Sequence, residues 1–348
     1  MPQMTRALLA GGPASLTLNG KTIFLLDDSR LAIDRVTSVI TSALYGDGDE
    51  VGTDLVVKGS GTPMLYDIAG AGTMQALFPF STVAANVLSI VPTVGQSIFG
   101  MSLSTGIGTA TEVPAVWLSP NGDKITLINS AVTKPPDLQL GTNKPIFGAI
   151  EISGIISATV AAAAGYFNPL IAGAYYTTLT GQTYTAPALD TTSLGRGSYT
   201  AAWAGNTLTS FQTQEGFTIT HELKLAVRQA YGGLTCDIVL ESYRVMCKCI
   251  PVGSATTMLA IQTAQLIGGA VGSVQGQRLG QAASNLTLTG ASGGTDHSPV
   301  VTINNASLKT AGFVFGAKPL RNGEIGWVST WGTAGPAGTT YPVLMTMA

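Results

Sequence analysis

Val116-Trp117-Leu118-Ser119-Pro120-Asn121-Gly122-Asp123-Lys124-Ile125-Thr126-Leu127-Ile128 holds the pattern that decides the fold class. Two short runs of β-branched, aromatic and aliphatic residues flank Pro-Asn-Gly-Asp, whose composition is that of a hairpin turn. The same rhythm recurs along the chain. Gly20–Leu26, Asp54–Val57, Ala115–Leu118, Ile125–Ile128, Gly148–Ile152, Phe217–Thr220, Asp237–Leu240, Val300–Ile303 and Glu324–Val328 are strand-like runs bounded by Gly, Pro, Asn or Asp clusters. The expectation is a mainly β protein of antiparallel hairpins.

Two stretches break the rhythm. Arg30–Leu44 carries Leu31, Ile33, Val36, Val39, Ile40 and Leu44 at spacings that predict a short amphipathic helix, and Thr256–Leu266 reads likewise. Met74–Leu88 is a weaker helical match, interrupted by Pro79.

The two halves of the chain also resemble each other. Ile128-Asn129-Ser130-Ala131 lines up with Ile303-Asn304-Asn305-Ala306, and the same shift pairs Lys134 with Lys309, Gly141 with Gly316, Gly148 with Gly323 and Ile150 with Ile325. Upstream, Asp54–Val57 followed by Met74 matches Asp237–Leu240 followed by Met258. A duplicated fold is therefore expected: two similar antiparallel β-sandwich or barrel domains, each with a short flanking helix. The expected boundaries are a first domain over 1–153, a linker or insertion rich in Ala, Gly and Thr over 154–216, and a second domain over 217–348.

Composition points to assembly. A chain of 348 residues is long enough for two ordinary domains, and only 10% of its residues are charged, against about 25% in a typical soluble domain. So few charges protect a monomer poorly, but suit a surface covered by further copies, because interface cores are depleted of charge. The net charge of −2 lacks the basic footprint with which nucleic-acid binders neutralise phosphates. Cys236, Cys247 and Cys249 are odd in number, which argues against a disulfide framework; Cys247 and Cys249, two apart in a strand-like run, share one face as small buried hydrophobes. Met1–Gly12 is too weakly apolar for a signal peptide, so the expected compartment is a cytoplasm. Ile68–Thr111 and Ile152–Leu189 carry no charge, but Pro, Gly, Asn and Thr interrupt them, so small-residue packing segments are expected and not membrane spans.

A search for chemistry returns nothing assignable. His221-Glu222-Leu223-Lys224-Leu225 fails the H-E-x-x-H zinc pattern at its last position, and His297 lies in a loop by composition. Gly20-Lys21-Thr22 lacks the leading glycine of a phosphate loop. Asp47, Asp49 and Glu50 gather in a glycine-rich loop without the spacing of a calcium loop, and a solvated turn is the plainer reading. Asn285-Leu286-Thr287 fits a glycosylation acceptor, which has meaning only in a secretory pathway. No Gly-x-Ser-x-Gly elbow is present and no histidine is placed as a base. The expectation is not an enzyme, with no catalytic, cofactor-binding or metal-binding residue and no cofactor.

The run Val116–Leu140, continuing to Ile146–Ile152, resembles the strand pattern of tail tube proteins of long-tailed bacteriophages, in which an A-x-T-K-x-P-like element (here Ala131, Thr133, Lys134, Pro136) precedes a glycine-marked strand. Asn304–Thr310 and Gly323–Trp327 occupy the equivalent places in the second half. The resemblance covers about 50 residues per half. It implies a structural virion protein whose sheets join neighbour to neighbour into rings, stacked into the hollow tail through which genomic DNA passes without specific binding. With a duplicated domain, three chains would build a pseudo-hexameric ring. The implied partners are further copies of itself and other tail proteins, with no membrane, and the implied location is the virion tail, assembled in the host bacterial cytoplasm. Axial contacts are expected from loops such as Leu44–Thr53 or the 154–216 segment. Two alternatives remain open. A capsid, decoration or fibre subunit would share the low charge and β-rich turns. A carbohydrate-binding β domain would want clustered aromatics, whereas Trp117, Trp203, Trp327 and Trp331 are mostly scattered.

Overall fold

A computed structural model describes residues 14–18, 21–26, 28–41, 48–64, 74–98, 115–118, 124–127, 130–141, 147–154, 176–177, 199–204, 206–208, 212–229, 235–252, 283–290, 299–313, 322–330 and 342–346. In chain order its strands are β1 (Ala14–Leu18), β2 (Lys21–Leu25), β3 (Arg30–Thr41), β4 (Gly48–Gly61), β5 (Ser81–Ala84), β6 (Val87–Ile90), β7 (Ala115–Leu118), β8 (Lys124–Leu127), β9 (Ser130–Lys134) and β10 (Leu138–Leu140). There follow β11 (Ile150–Gly154), β12 (Tyr176–Thr177), β13 (Tyr199–Trp203), β14 (Asn206–Leu208), β15 (Gln212–Gln229), β16 (Thr235–Val252), β17 (Ser284–Gly290), β18 (Val300–Phe313), β19 (Asn322–Ser329) and β20 (Val343–Thr346). All ladders are antiparallel, and the protein is mainly β, of the β-sandwich class.

Every strand-like run read from the sequence lies in or overlaps a strand, because β-branched and aromatic side chains fit a pleated, half-buried surface. β7 and β8, on either side of Pro120-Asn121-Gly122-Asp123, pair antiparallel with Leu118 opposite Lys124. The helix expected over Arg30–Leu44 is not formed. Arg30–Thr41 is β3, hydrogen-bonded along its length to β4 from Arg30↔Ser60 to Thr41↔Gly48. Ile33, Val36, Thr37, Val39, Ile40 and Thr41 are stiff at χ1 and favour the extended chain, and pairing to β4 overrides the helical spacing. The helix over Met74–Leu88 is likewise corrected. It stops after one turn, where Leu77 N donates to Met74 O, and Pro79 precedes a β5–β6 hairpin whose turn residues Ala85 and Asn86 have φ of 47° and 62°. Both central residues at positive φ make the turn one that matches strand twist. Thr256–Leu266 lies outside the described residues.

Four strands form one sheet in the order β3-β4-β11-β9, and the order β15-β16-β19-β18 recurs in the large sheet. The correspondence extends to register. Each pair from Arg30↔Ser60 to Ile40↔Asp49 has a counterpart 188 residues on, from Thr218↔Lys248 to Arg228↔Asp237. Bulges fall at matching places. The β3–β4 ladder skips Thr53 after Val36↔Asp54, and the β15–β16 ladder skips Glu241 after Lys224↔Ser242. The β9–β11 ladder skips Thr133 between Lys134↔Glu151 and Val132↔Ile152, and β18–β19 skips Lys309 between Thr310↔Gly326 and Leu308↔Trp327. Since a bulge fixes register locally, these coincidences align the two strand sets residue by residue.

The second layer repeats too. A five-stranded sheet runs β12-β8-β7-β1-β2, and β20-β18-β17-β13-β14 has the same order. β18 serves both layers because it bends at Asn305, whose φ is 50°. Its first part pairs with β17 and β20 and its remainder with β19. Asn305 is held by the Asn285 Oδ1 acceptor at 3.1 Å on its N–H and by donors from Thr330 on its carbonyl. The strands thus fall into a first unit, β1 to β12, and a second, β13 to β20. The second unit begins at Tyr199, inside the segment expected as a linker or insertion, and β12, β13 and β14 of that segment all take part in sheets.

Matching positions face the same core. Leu16 and Leu18 correspond to Ala201 and Trp203, and Val132, Ile150 and Ile152 to Leu308, Ile325 and Trp327, all buried. Cys247 and Cys249 share a buried face of β16, as the sequence predicted, where the first unit has Gly59 and Gly61. In the second unit the two layers meet at Trp203 and Trp327, edge to face at 6.1 Å and 69°, and Trp203 Nε1 donates to the Ala306 carbonyl at 3.0 Å beside the β18 bend. Trp203→Ala removes this packing and the hydrogen bond together. It is expected to cost about 3–5 kcal/mol in a denaturant titration, which a change under about 1 kcal/mol would contradict.

Candidate assembly interface

The backbone of a sheet edge presents N–H and C=O groups that must find partners in water, in the same chain or in another. In this chain three segments of the first unit cover edges of the second. β10 lies along β15, with Leu138↔Ile219 and Leu140↔Phe217 all buried. Residues 95–98 lie along the first part of β16: Gly95 N donates to Leu240 O, Leu240 N to Gln96 O and Ile98 N to Ile238 O, at 2.7 to 3.0 Å. β6 lies along β20 from Val87↔Thr346 to Ile90↔Val343.

Local sequence explains how each segment gets there. Pro135 and Pro136 have no N–H to continue the β9 ladder, so the chain leaves the first sheet after Lys134 and reaches β15 at Leu138. Asp137 then fastens the junction. Its carboxylate accepts from the His221 backbone N–H and the Thr220 hydroxyl, and Gly148 N donates to its carbonyl at 2.7 Å. Burial raises the Asp137 pKa above the usual carboxylate value, against the opposing pull of Lys134, of these hydrogen bonds and of Lys248. At the second junction the buried Ser97 hydroxyl donates to Asp237 Oδ1 at 2.6 Å, and the same oxygen accepts from Ile238 N at 2.8 Å.

His221 sits beneath the β10 seam. It is buried, its Nδ1 lies 2.6 Å from Tyr243 Oη, and its ring meets Phe78 edge-on at 5.1 Å. Nε2 has no hydrogen-bond partner among the described residues. Burial lowers its pKa to about 3. A buried neutral ring with no carboxylate hydrogen-bonded to it among the described residues has the setting of a packing residue.

The matching edges of the first unit carry no such cover among the described residues. Among the described residues β3 pairs only with β4, the 48–56 part of β4 pairs only with β3, and β12 pairs only with β8. By the register above, Ser29–Leu31 corresponds to Phe217–Ile219, Glu50–Gly52 to Ile238–Leu240, and Tyr176–Thr177 to Met345–Thr346.

The other residues singled out by sequence fall away from this junction. Lys21 and Thr22 are exposed on β2, where Thr22 Oγ1 meets Thr17 Oγ1 at 2.9 Å. Burial raises both the Cys247 and Cys249 thiols far above their ordinary pKa, which makes them inert. Asp47, His297 and Trp331 lie outside the described residues, as do the side chains of Asp49 and Glu50. No group of three His, Cys, Asp or Glu among the described residues is placed to hold a metal, and no helix there is long and apolar enough to cross a membrane. No protein-family profile matches the chain, and no curated protein matches it significantly.

His221 sets a pH dependence with a definite sign. The folded chain keeps it neutral down to about pH 3, whereas the unfolded chain protonates it below the ordinary histidine value of 6.5. Stability is therefore complete above pH 6.5 and falls toward pH 3 by roughly 1.4 kcal/mol per unit. Asp137, raised in the fold, acts in the opposite direction above 3.8. Melting temperatures of wild type and His221→Gln across pH 7 to 4 should show a flatter acid slope in the variant; parallel slopes would contradict the assignment.

Proposed function

We propose that this chain is a structural subunit that polymerises with itself into stacked hollow rings, as the tail tube subunit of a long-tailed bacteriophage does. The observation that carries the reading is the pair of matching strand sets, joined in one direction, with first-unit segments covering second-unit edges. A contact that runs head to tail between like units repeats until it closes as a ring or continues as a helix. Three chains then supply six units, the pseudo-hexamer that a duplicated subunit makes in place of six single ones.

The composition supports the same reading, since 10% charged residues suit a surface largely covered by copies. A net charge of −2 also suits a lumen that lets DNA slide without adhering. On this reading the activity is mechanical. Rings form laterally by sheet pairing, stack axially through loops, join other tail proteins, and reside in the virion after assembly in the host cytoplasm. The exposed ion pairs Lys134–Glu151, Lys224–Glu241 and Lys248–Glu324 lie on strand surfaces, where they add little stability but bias which faces meet.

Negative-stain microscopy of the purified chain over a concentration series, with size-exclusion chromatography beside it, tests the proposal. Hollow rings or stacked tubes that grow with concentration are expected. A monodisperse monomer at high concentration, or compact particles without a lumen, would contradict it.

A further inference from the structure

In the assembly proposed above, we infer that the partner of each open first-unit edge is the second unit of a neighbouring copy, seated on β3, on Glu50–Gly52 of β4 and on β12 as the first unit seats on β15, β16 and β20 within one chain. The inference rests on that self-assembly reading and adds to it which edge meets which.

Three independent strands carry it. The β10–β15, 95–98–β16 and β6–β20 contacts all run from the first unit to the second, and among the described residues no ladder runs from the second to β3, β4 or β12. The bulges at Thr53 and Glu241 put β3 and β15 in one register, so the edge that β10 finds at Phe217–Ile219 exists again at Ser29–Leu31. The ladder beside the donor also recurs: β18–β19 repeats β9–β11 with its bulge, and β9–β11 is the ladder from which β10 departs, while the residues that follow Phe313 lie outside the described residues. Within one chain the second unit meets the first through β10, residues 95–98 and β6, and among the described residues it does not also reach β3. A second copy can, and the same rotation then leaves one open edge and one donor at every step until the ring closes.

The competing arrangement has two copies meeting β3 to β3. Such an isologous contact pairs identical edges and stops at two, leaving the second unit's donor end unused. The charges near the open edge differ from those near the covered one. Arg30 stands where the covered edge has Thr218, and Asp28, whose carboxylate accepts from Thr62 N and Thr62 Oγ1, stands just before it.

Amide hydrogen exchange on the full chain, read by peptides at concentrations below and above assembly, separates these cases. The Phe217–Ile219 part of β15 should exchange slowly in both states, because β10 covers it within the chain. Peptides spanning β3 and Glu50–Gly52 should contain amides that exchange at least about tenfold more slowly only in the assembled state. Equal exchange of those peptides in dissociated and assembled rings would overturn the edge assignment while leaving ring formation intact. Protection of β3 in a species that is a twofold dimer would overturn the choice of partner. A chain that stays monomeric throughout would overturn this inference and the proposed function together.

Discussion

Every backbone N–H and C=O at a sheet edge needs a partner, and in this protein that requirement organises the rest. The second unit's edges at β15, β16 and β20 are satisfied by strands borrowed from the first unit. The first unit's own edges at β3, β4 and β12 have no such cover among the described residues. An edge long enough to span β3 is an aggregation hazard in a monomer. It is an ordered joint when a partner of fixed register is available, and the chain carries the template for that partner in itself.

The two units keep one scaffold and fill it differently. At Gly61 an added Cβ would sit 3.0 Å from Leu25 Cδ1, so a side chain there would have to push Leu25 aside. The second unit places Cys247 and Cys249 at the positions of Gly59 and Gly61 and packs Trp203 against Trp327 in its core. Equal register with unequal filling means that the hydrogen-bond pattern constrains the fold more tightly than the identity of the core residues. That order of constraint is expected where volume can be exchanged between facing layers but a one-residue slip would turn every side chain to the wrong face. The Asp137 carboxylate and the Ser97–Asp237 pair belong to the same logic, since each ties a borrowed segment to its host strand through backbone groups that would otherwise be stranded.

The strands were legible in the sequence because their signal is local: β-branched runs between turn residues. The helix read over Arg30–Leu44 failed because apolar spacing alone is ambiguous where half the residues are β-branched, and the deciding term is pairing with β4, which lies downstream. The repeat was legible only in outline. Ile150 and Ile325 do correspond, but the bulges show that β9 matches β18 with Ala131 at Ser307, one residue from the identity at Ala306, and that Asp54 matches Ser242 and not Asp237. Small residues repeat by chance in a chain with 43 glycines, whereas bulges are structural and leave no local mark. The end of the first unit at β12 was not legible either, since a two-residue strand in an Ala- and Thr-rich stretch has no pattern to read. The junction itself left one trace, the Pro135-Pro136 pair before Asp137, where the chain must abandon one sheet and can join another.

The central claim is that like units join head to tail, so that assembly closes by rotation and not by twofold pairing. Native mass spectrometry of the smallest closed species tests it most directly. The account predicts a species of three chains, about three times the 35.6 kDa subunit mass, with no stable two-chain complex beside it. A dominant two-chain complex that adds no further copies would contradict it.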